Sequence, residues 1–219
     1  MGHLVKDTAL LAIVHFLAGV LGFFYRVFLS NELGAEGMGI YQQALTFFRT
    51  VIVLMTAGIP LSISKLMAEY DTYKNSKVSQ ILSSALILIL IFSSIGTIIL
   101  IVLAFIMQRK VLFYILPAAV FVGLSSVMKG FFLGTKETAP VGWSLLAESL
   151  IRTLFGMYCV QSMILYYIEK ETRGAVFALG VGEFISLFEL YLFFKTKKIN
   201  LNISIASIKD IKDILNISI

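Results

Sequence analysis

Residues 22–69 read GFFYRVFLSNELGAEGMGIYQQALTFFRTVIVLMTAGIPLSISKLMAE, two long apolar runs joined by a short stretch holding Asn31, Glu32, Gly34, Glu36, Gly37 and Gly39. Each run carries one arginine, Arg26 before the joint and Arg49 after it. A charge at bilayer depth costs roughly 2.5–3.5 kcal/mol even on the lenient insertion scale, so it persists where it faces a polar interior or a partner. Two in consecutive apolar runs predict a shared polar interior.

The rest of the chain has the same character. Hydrophobic residues make up 58% and charged residues 14%, with a mean hydropathy of +0.92. A soluble domain carries about 25% charged residues. The apolar blocks exceed the roughly 20 residues that cross a hydrocarbon core, so this is an integral membrane protein. A single cysteine, Cys159, excludes an internal disulfide. The two histidines, His3 and His15, lack an acidic neighbour, so neither a metal nor a cofactor is expected. The net charge of +5 does not indicate nucleic-acid binding, because the basic residues concentrate in loops on one side of the membrane. No P-loop, zinc-protease motif or nucleophile elbow is present, which argues against an enzyme. The first apolar run, from Thr8 to Tyr25, outlasts a signal peptide and ends without a small-residue cleavage site.

Hydropathy predicts an all-α, polytopic bundle of six transmembrane helices. Helix one covers about Thr8 to Leu29, with His15, Gly19, Gly22 and Arg26 on one face. Arg26 there either faces the space left by the glycines or snorkels to headgroups. Helix two covers about Gly39 to Ser64, with Gln42, Thr46, Arg49, Thr56 and Pro60 near one stripe. Arg49 lies roughly ten residues, about 15 Å, from that helix start, which favours a cavity over snorkelling. Pro60 removes a backbone donor and predicts a kink, a candidate hinge. Helix three, Val78 to Met107, contains no charge.

Helix four covers about Val111 to Gly134 and carries Lys129, whose default reading is snorkelling. Helix five covers about Pro140 to Ile164; its Glu148 and Arg152 stand four apart, acid first, and either neutralise each other or serve a substrate. Helix six covers about Ala175 to Phe194. Its Glu183 and Glu189 cannot share a face, and Glu183 is the better cavity or proton-coupling carboxylate. These helices form a lobe over 1–198. The remainder, 199–219, is a cytoplasmic amphipathic tail with Ile208, Ile211, Leu215 and Ile219 on one face, expected to lie at the membrane interface.

Two strings, GFFYRVFLSNELGAEGMGIYQQA and TAGIPLSISKLMAEY, resemble the opening of the stage V sporulation protein B family. Lys129 to Gly134, LLAESLIR around Glu148 and Arg152, and VGEFISLFELYLFF around Glu183 match further motifs of that family. It belongs with the lipid-linked-saccharide and polysaccharide flippases and the MATE-like exporters. The resemblance implies the N-terminal lobe of a two-lobe carrier working by alternating access, with a second lobe supplied by a homodimer or a separately encoded half. It implies a bend at Thr56–Pro60, a role in building spore-cortex peptidoglycan, and a lipid-linked saccharide as substrate, with membrane lipid around it. An anionic, pyrophosphate-bearing lipid would suit Arg49, Arg26, Arg152 and Gln42 facing a wet cavity. The alternatives are a cation-coupled multidrug exporter using Glu183 or Glu148, and a non-transporting fragment.

The expected inner segments hold Lys6, Lys65, Lys74, Lys77, Lys136, Lys195, Lys197, Lys198, Lys209 and Lys212, whereas the outer loops hold Arg109, Lys110, Lys170 and Arg173. The positive-inside rule then puts both termini in the cytoplasm of a cell-membrane protein. On that side the Asn-x-Ser strings at Asn202 and Asn216 carry no meaning as glycosylation sites.

Overall fold

In a computed structural model the chain is all-α. The structure describes residues 2–56, 58–69, 75–163, 168–197, 199 and 207–218. Lys198, the expected end of the lobe, and the Asn202 string lie outside them. The elements are α1 (Gly2–Thr56), α2 (Ile59–Glu69), α3 (Asn75–Ile106), a 3-10 turn (Lys110–Ile115), α4 (Leu116–Gly134), α5 (Thr138–Met163), α6 (Ile168–Thr196) and α7 (Ile208–Ser218).

The deciding stretch folds more tightly than its composition predicts. No loop separates its two apolar runs. Helix continues to Leu33 and resumes after Gly34, whose φ of 63° and ψ of −170° break α1 into two arms at one residue. That backbone region is essentially reserved for glycine, so one residue suffices for the corner. Asn31 and Glu32 stay helical because Leu33, only 3% exposed, is drawn into the core beside them.

The second expected break also moves. The chain leaves helix at Gly58, with φ of 76°, and Pro60 falls in the first turn of α2. A proline there removes no helical hydrogen bond, so the corner belongs to the glycine rather than to a proline kink. Thr56 returns its hydroxyl to the Ile52 carbonyl of its own helix at 2.9 Å.

Four stretches among the described residues are long and apolar enough to cross a membrane: Thr8–Glu69, Lys77–Ile106, Lys110–Gly134 and Thr172–Thr196. The protein is a multi-pass membrane protein. Its periphery agrees, since Phe16, Phe105, Leu54 and Leu154 stand exposed on the outside. Without water to drive association, membrane helices meet through small residues. A Cβ on Gly130 would lie 2.7 Å from the Pro60 carbonyl oxygen, and one on Gly134 2.6 Å from that of Ser64, so α4 packs backbone to backbone on α2. The hydroxyls of Ser125, Ser126 and Ser144 turn back to carbonyls three residues earlier.

The core has two parts. One gathers Tyr25, Leu29, Tyr41, Phe48 and Met55 of α1 with Ala118 and Ala119 of α4 and Val176 and Leu179 of α6. The other gathers Ile59, Ile63 and Met67 of α2 with α3, the second half of α4, Leu190, Phe194 and Ile214. Helix α5 packs on α6 and α1.

Helix α7 forms where the tail predicts one, but its apolar face meets α2 and α3 rather than a free interface. Ile214 is fully buried and Ile208 is exposed, so the buried face is rotated from the expected one. Asp210, 4% exposed, turns inward to Lys77 at 3.0 Å, and the Ser207 amide donates to the Ser84 hydroxyl at 3.0 Å.

Candidate functional site

The kink at Gly34 folds the arms of α1 beside each other, so that residues far apart in sequence line one space. A cavity of about 350 Å³ is walled by Gly19, Gly22, Tyr25 and Arg26 of the first arm, Tyr41, Leu45 and Arg49 of the second, Arg152 of α5 and Leu179 of α6. Residues 3 and 4 apart share a helix face, which accounts for both walls from α1. A side chain built on Gly19 or Gly22 would meet nothing within 4 Å, so these glycines leave room. Arg26 and Arg49 are exposed and Arg152 is half-buried, so the cavity opens outward rather than closing over them.

Three of the four residues expected to bind substrate therefore share this cavity. Gln42 does not line it. That residue is half-buried on the second arm, and its carbonyl accepts the Thr46 hydroxyl at 2.9 Å.

Glu148 stands beside the cavity and is 7% exposed. Its carboxylate meets Arg152 at 3.2 Å and Lys129 of α4 at 3.9 Å. Lys129 thus turns toward a buried acid instead of outward to headgroups, which corrects the snorkelling expectation. Opposite charges within 4 Å attract strongly enough in a poorly solvated interior to hold that direction. Glu183 of α6 lies within electrostatic reach of Glu148, Lys129 and Arg152. Its residue is half-buried, yet Oε2 is sealed from solvent and has no hydrogen-bond partner among the described residues. Gly182 brings α6 this close, since a Cβ there would lie 3.0 Å from the Glu148 carbonyl oxygen. Arg152 belongs to both places, lining the cavity and holding Glu148. Pro60 lines neither.

Sequence reading missed Tyr25, Tyr41 and Lys129. The two tyrosines were within reach: Tyr41, Leu45 and Arg49 recur every four residues, and Tyr25 adjoins Arg26. The partnership of Lys129 with Glu148 joins two helices and has no signal in the chain. Chemically, three guanidiniums on an open wall with no nucleophile and base in register can hold an anion, and guanidinium takes phosphate bidentately.

Similar proteins agree with this picture of a membrane protein. The chain is 30% identical to Stage V sporulation protein B of Bacillus subtilis (strain 168), over 89% of this chain and 39% of that protein. It is 27% identical to Sporulation protein YkvU of the same organism, over 87% of this chain and 43% of the relative. It is 21% identical to Lipid II flippase MurJ, again of Bacillus subtilis, over 89% of this chain and 40% of the relative. The chain thus spans about two fifths of the length of these curated relatives. No solved structure matches it significantly. The profile of the family described as Polysaccharide biosynthesis protein matches residues 4–219, and the chain belongs to that family.

Proposed function

We propose that this chain is the N-terminal lobe of a carrier that flips a lipid-linked saccharide, a precursor of peptidoglycan or another polysaccharide, across the cell membrane by alternating access. The observation that carries the reading is the convergence of Arg26, Arg49 and Arg152 on one open cavity. A lipid pyrophosphate supplies the anion that such a wall suits, and the family and the flippase among the relatives supply the substrate class. Six crossings follow if Thr8–Glu69 contributes two, bent at Gly34, and α5 contributes one. At 26 residues α5 extends about 39 Å, enough for a roughly 30 Å core. Both termini are then cytoplasmic, and a second lobe, from another copy or a separate chain, completes the site.

The test is flipping of a fluorescent lipid-linked saccharide, or complementation of spore-cortex synthesis, by the assembled carrier, normalised to inserted protein. Arg49→Lys lowers the rate, since lysine offers a point charge where guanidinium grips with two bonds. Arg49→Ala lowers it further, by about tenfold or more, and Arg49→Glu abolishes it by repelling phosphate. Wild-type flipping by Arg49→Ala sinks the cavity role.

A second reading rests on the unpartnered Oε2 of Glu183. As a coupling carboxylate, Glu183 would take up and release a cation or proton while Arg152 moves between Glu148 and the cavity. Glu183→Gln would then abolish flux driven by an ion gradient while leaving substrate binding intact. Gradient-driven flux unchanged in that variant removes the coupling role.

A further inference from the structure

A second concave site shares no residue with the arginine cavity. The 3-10 turn packs on the start of α6, and between them Lys110, Phe113, Tyr114 and Arg173 line a pocket of about 430 Å³. That size falls within the roughly 300–1,000 Å³ of small-molecule sites. Both cations stand at the beginnings of apolar stretches, Lys110 opening Lys110–Gly134 and Arg173 one residue into Thr172–Thr196. Beginnings of spans lie at headgroup depth, where a cation meets lipid phosphates.

The pocket has two chemically different sides. On the polar side Lys110 is exposed, and the Arg173 guanidinium lies over the Tyr114 ring, 5.8 Å from its centroid. Stacking on an aromatic face holds a guanidinium in a chosen direction. On the apolar side, Phe113 packs edge-on against Phe105 at 5.6 Å, and Phe105 and Ile106 beyond it are exposed. A cationic cup running onto an apolar shelf matches an amphiphile whose charged group and hydrocarbon leave in different directions. Arg109 and Lys170 are near in sequence, and together these four cations outnumber the neighbouring Glu169 and Glu171.

We propose that this pocket binds the phosphate-bearing headgroup of an anionic membrane phospholipid, with Arg173 and Lys110 on the phosphate and the first acyl carbons on Phe113, Phe105 and Ile106. A free phosphate would engage the cations but not the shelf, and a zwitterionic lipid would bring its own cation against them. The site stands independently of the flippase reading, because it uses none of the cavity's residues.

The experiment uses the full chain purified in a neutral detergent, titrated with phosphatidylglycerol, phosphatidylcholine, glycerol 3-phosphate and inorganic phosphate. Bound lipid is read by native mass spectrometry and by the shift in thermal unfolding. Phosphatidylglycerol should bind at one saturable site at least about tenfold more tightly than phosphatidylcholine, and the two soluble phosphates should shift nothing at matched concentration. Arg173→Gln should weaken phosphatidylglycerol about tenfold and Lys110→Gln about threefold, while Lys209→Gln, at an exposed cation outside both sites, leaves it unchanged. If Arg173→Gln does not fold, exposed Lys110 decides through Lys110→Gln and Lys110→Glu. Equal binding of the two lipids, wild-type binding by the variants, or soluble phosphates binding as tightly as the lipid would each overturn the proposal.

Discussion

Glu148 holds two cations at once, Arg152 on its own helix and Lys129 on α4. Removing one member of a buried ion pair costs about 3–5 kcal/mol, because the partner charge remains behind. Lys129 and Arg152 keep about a quarter of their side chains exposed (26% and 25%), so the lower end of that range applies. Glu148→Gln should therefore lower stability by about 3 kcal/mol. Glu183→Gln should cost much less, since its sealed oxygen has no hydrogen bond to lose. Thermal unfolding in detergent distinguishes the two, and equal losses would show that Glu183 is as strong a structural tie as Glu148. Arg152 cannot grip a phosphate fully while it is held by Glu148.

Helix α1 owes its hairpin to one glycine. Gly34→Ala puts a Cβ where the backbone region is nearly closed to side chains, at a cost of about 1–3 kcal/mol. Gly19→Ala and Gly22→Ala are the contrast. Both sit in helix with nothing within 4 Å of a new Cβ, so they should keep or raise stability, by about 0.5–1 kcal/mol each. They also narrow the cavity beside Arg26, and under the proposed function flipping should fall although the fold does not suffer. Comparing unfolding temperatures and flipping rates for the three variants separates the corner from the cavity wall. A stable Gly34→Ala would place the corner's origin in packing rather than in backbone conformation.

At the scale of the whole molecule, the proposed six crossings with cytoplasmic termini predict a labelling pattern. In a Cys159→Ala background, Glu36→Cys and Arg109→Cys should react with an impermeant thiol reagent on intact cells. Lys136→Cys and Lys209→Cys should react only after permeabilisation; all four native side chains are exposed. Labelling of Lys209→Cys from outside would overturn the orientation. Alternating access needs two bodies rocking about one site, and this cavity has walls from one body only. In the proposed carrier a second lobe would close the cavity over Arg26 and Arg49, which are exposed.

Runs of apolar residues are properties of neighbouring residues, and they sufficed for the membrane class and the all-α fold, while the strings GFFYRVFLSNELGAEGMGIYQQA and TAGIPLSISKLMAEY carried the resemblance to the family. Helix ends were legible where the signal is local, as at Gly134, which closes α4 as expected. Corners were not, because Asn31, Glu32 and the glycines after them look like a loop until Leu33 is drawn into the core and one Gly34 conformation makes the turn. Nor was the direction of α7: a helix with Asp210 is read with its acid outward, unless Lys77 is known to wait on α3. The cavity itself divides the same way. Arg26 and Arg49 announce themselves as charges in apolar helices, whereas Arg152 joins them, and Lys129 turns from the headgroups to Glu148, only through contacts between helices. Each side chain's own chemistry is written in the chain; which charges come within a few ångströms of each other depends on packing between distant segments, and that is what the tertiary structure decided.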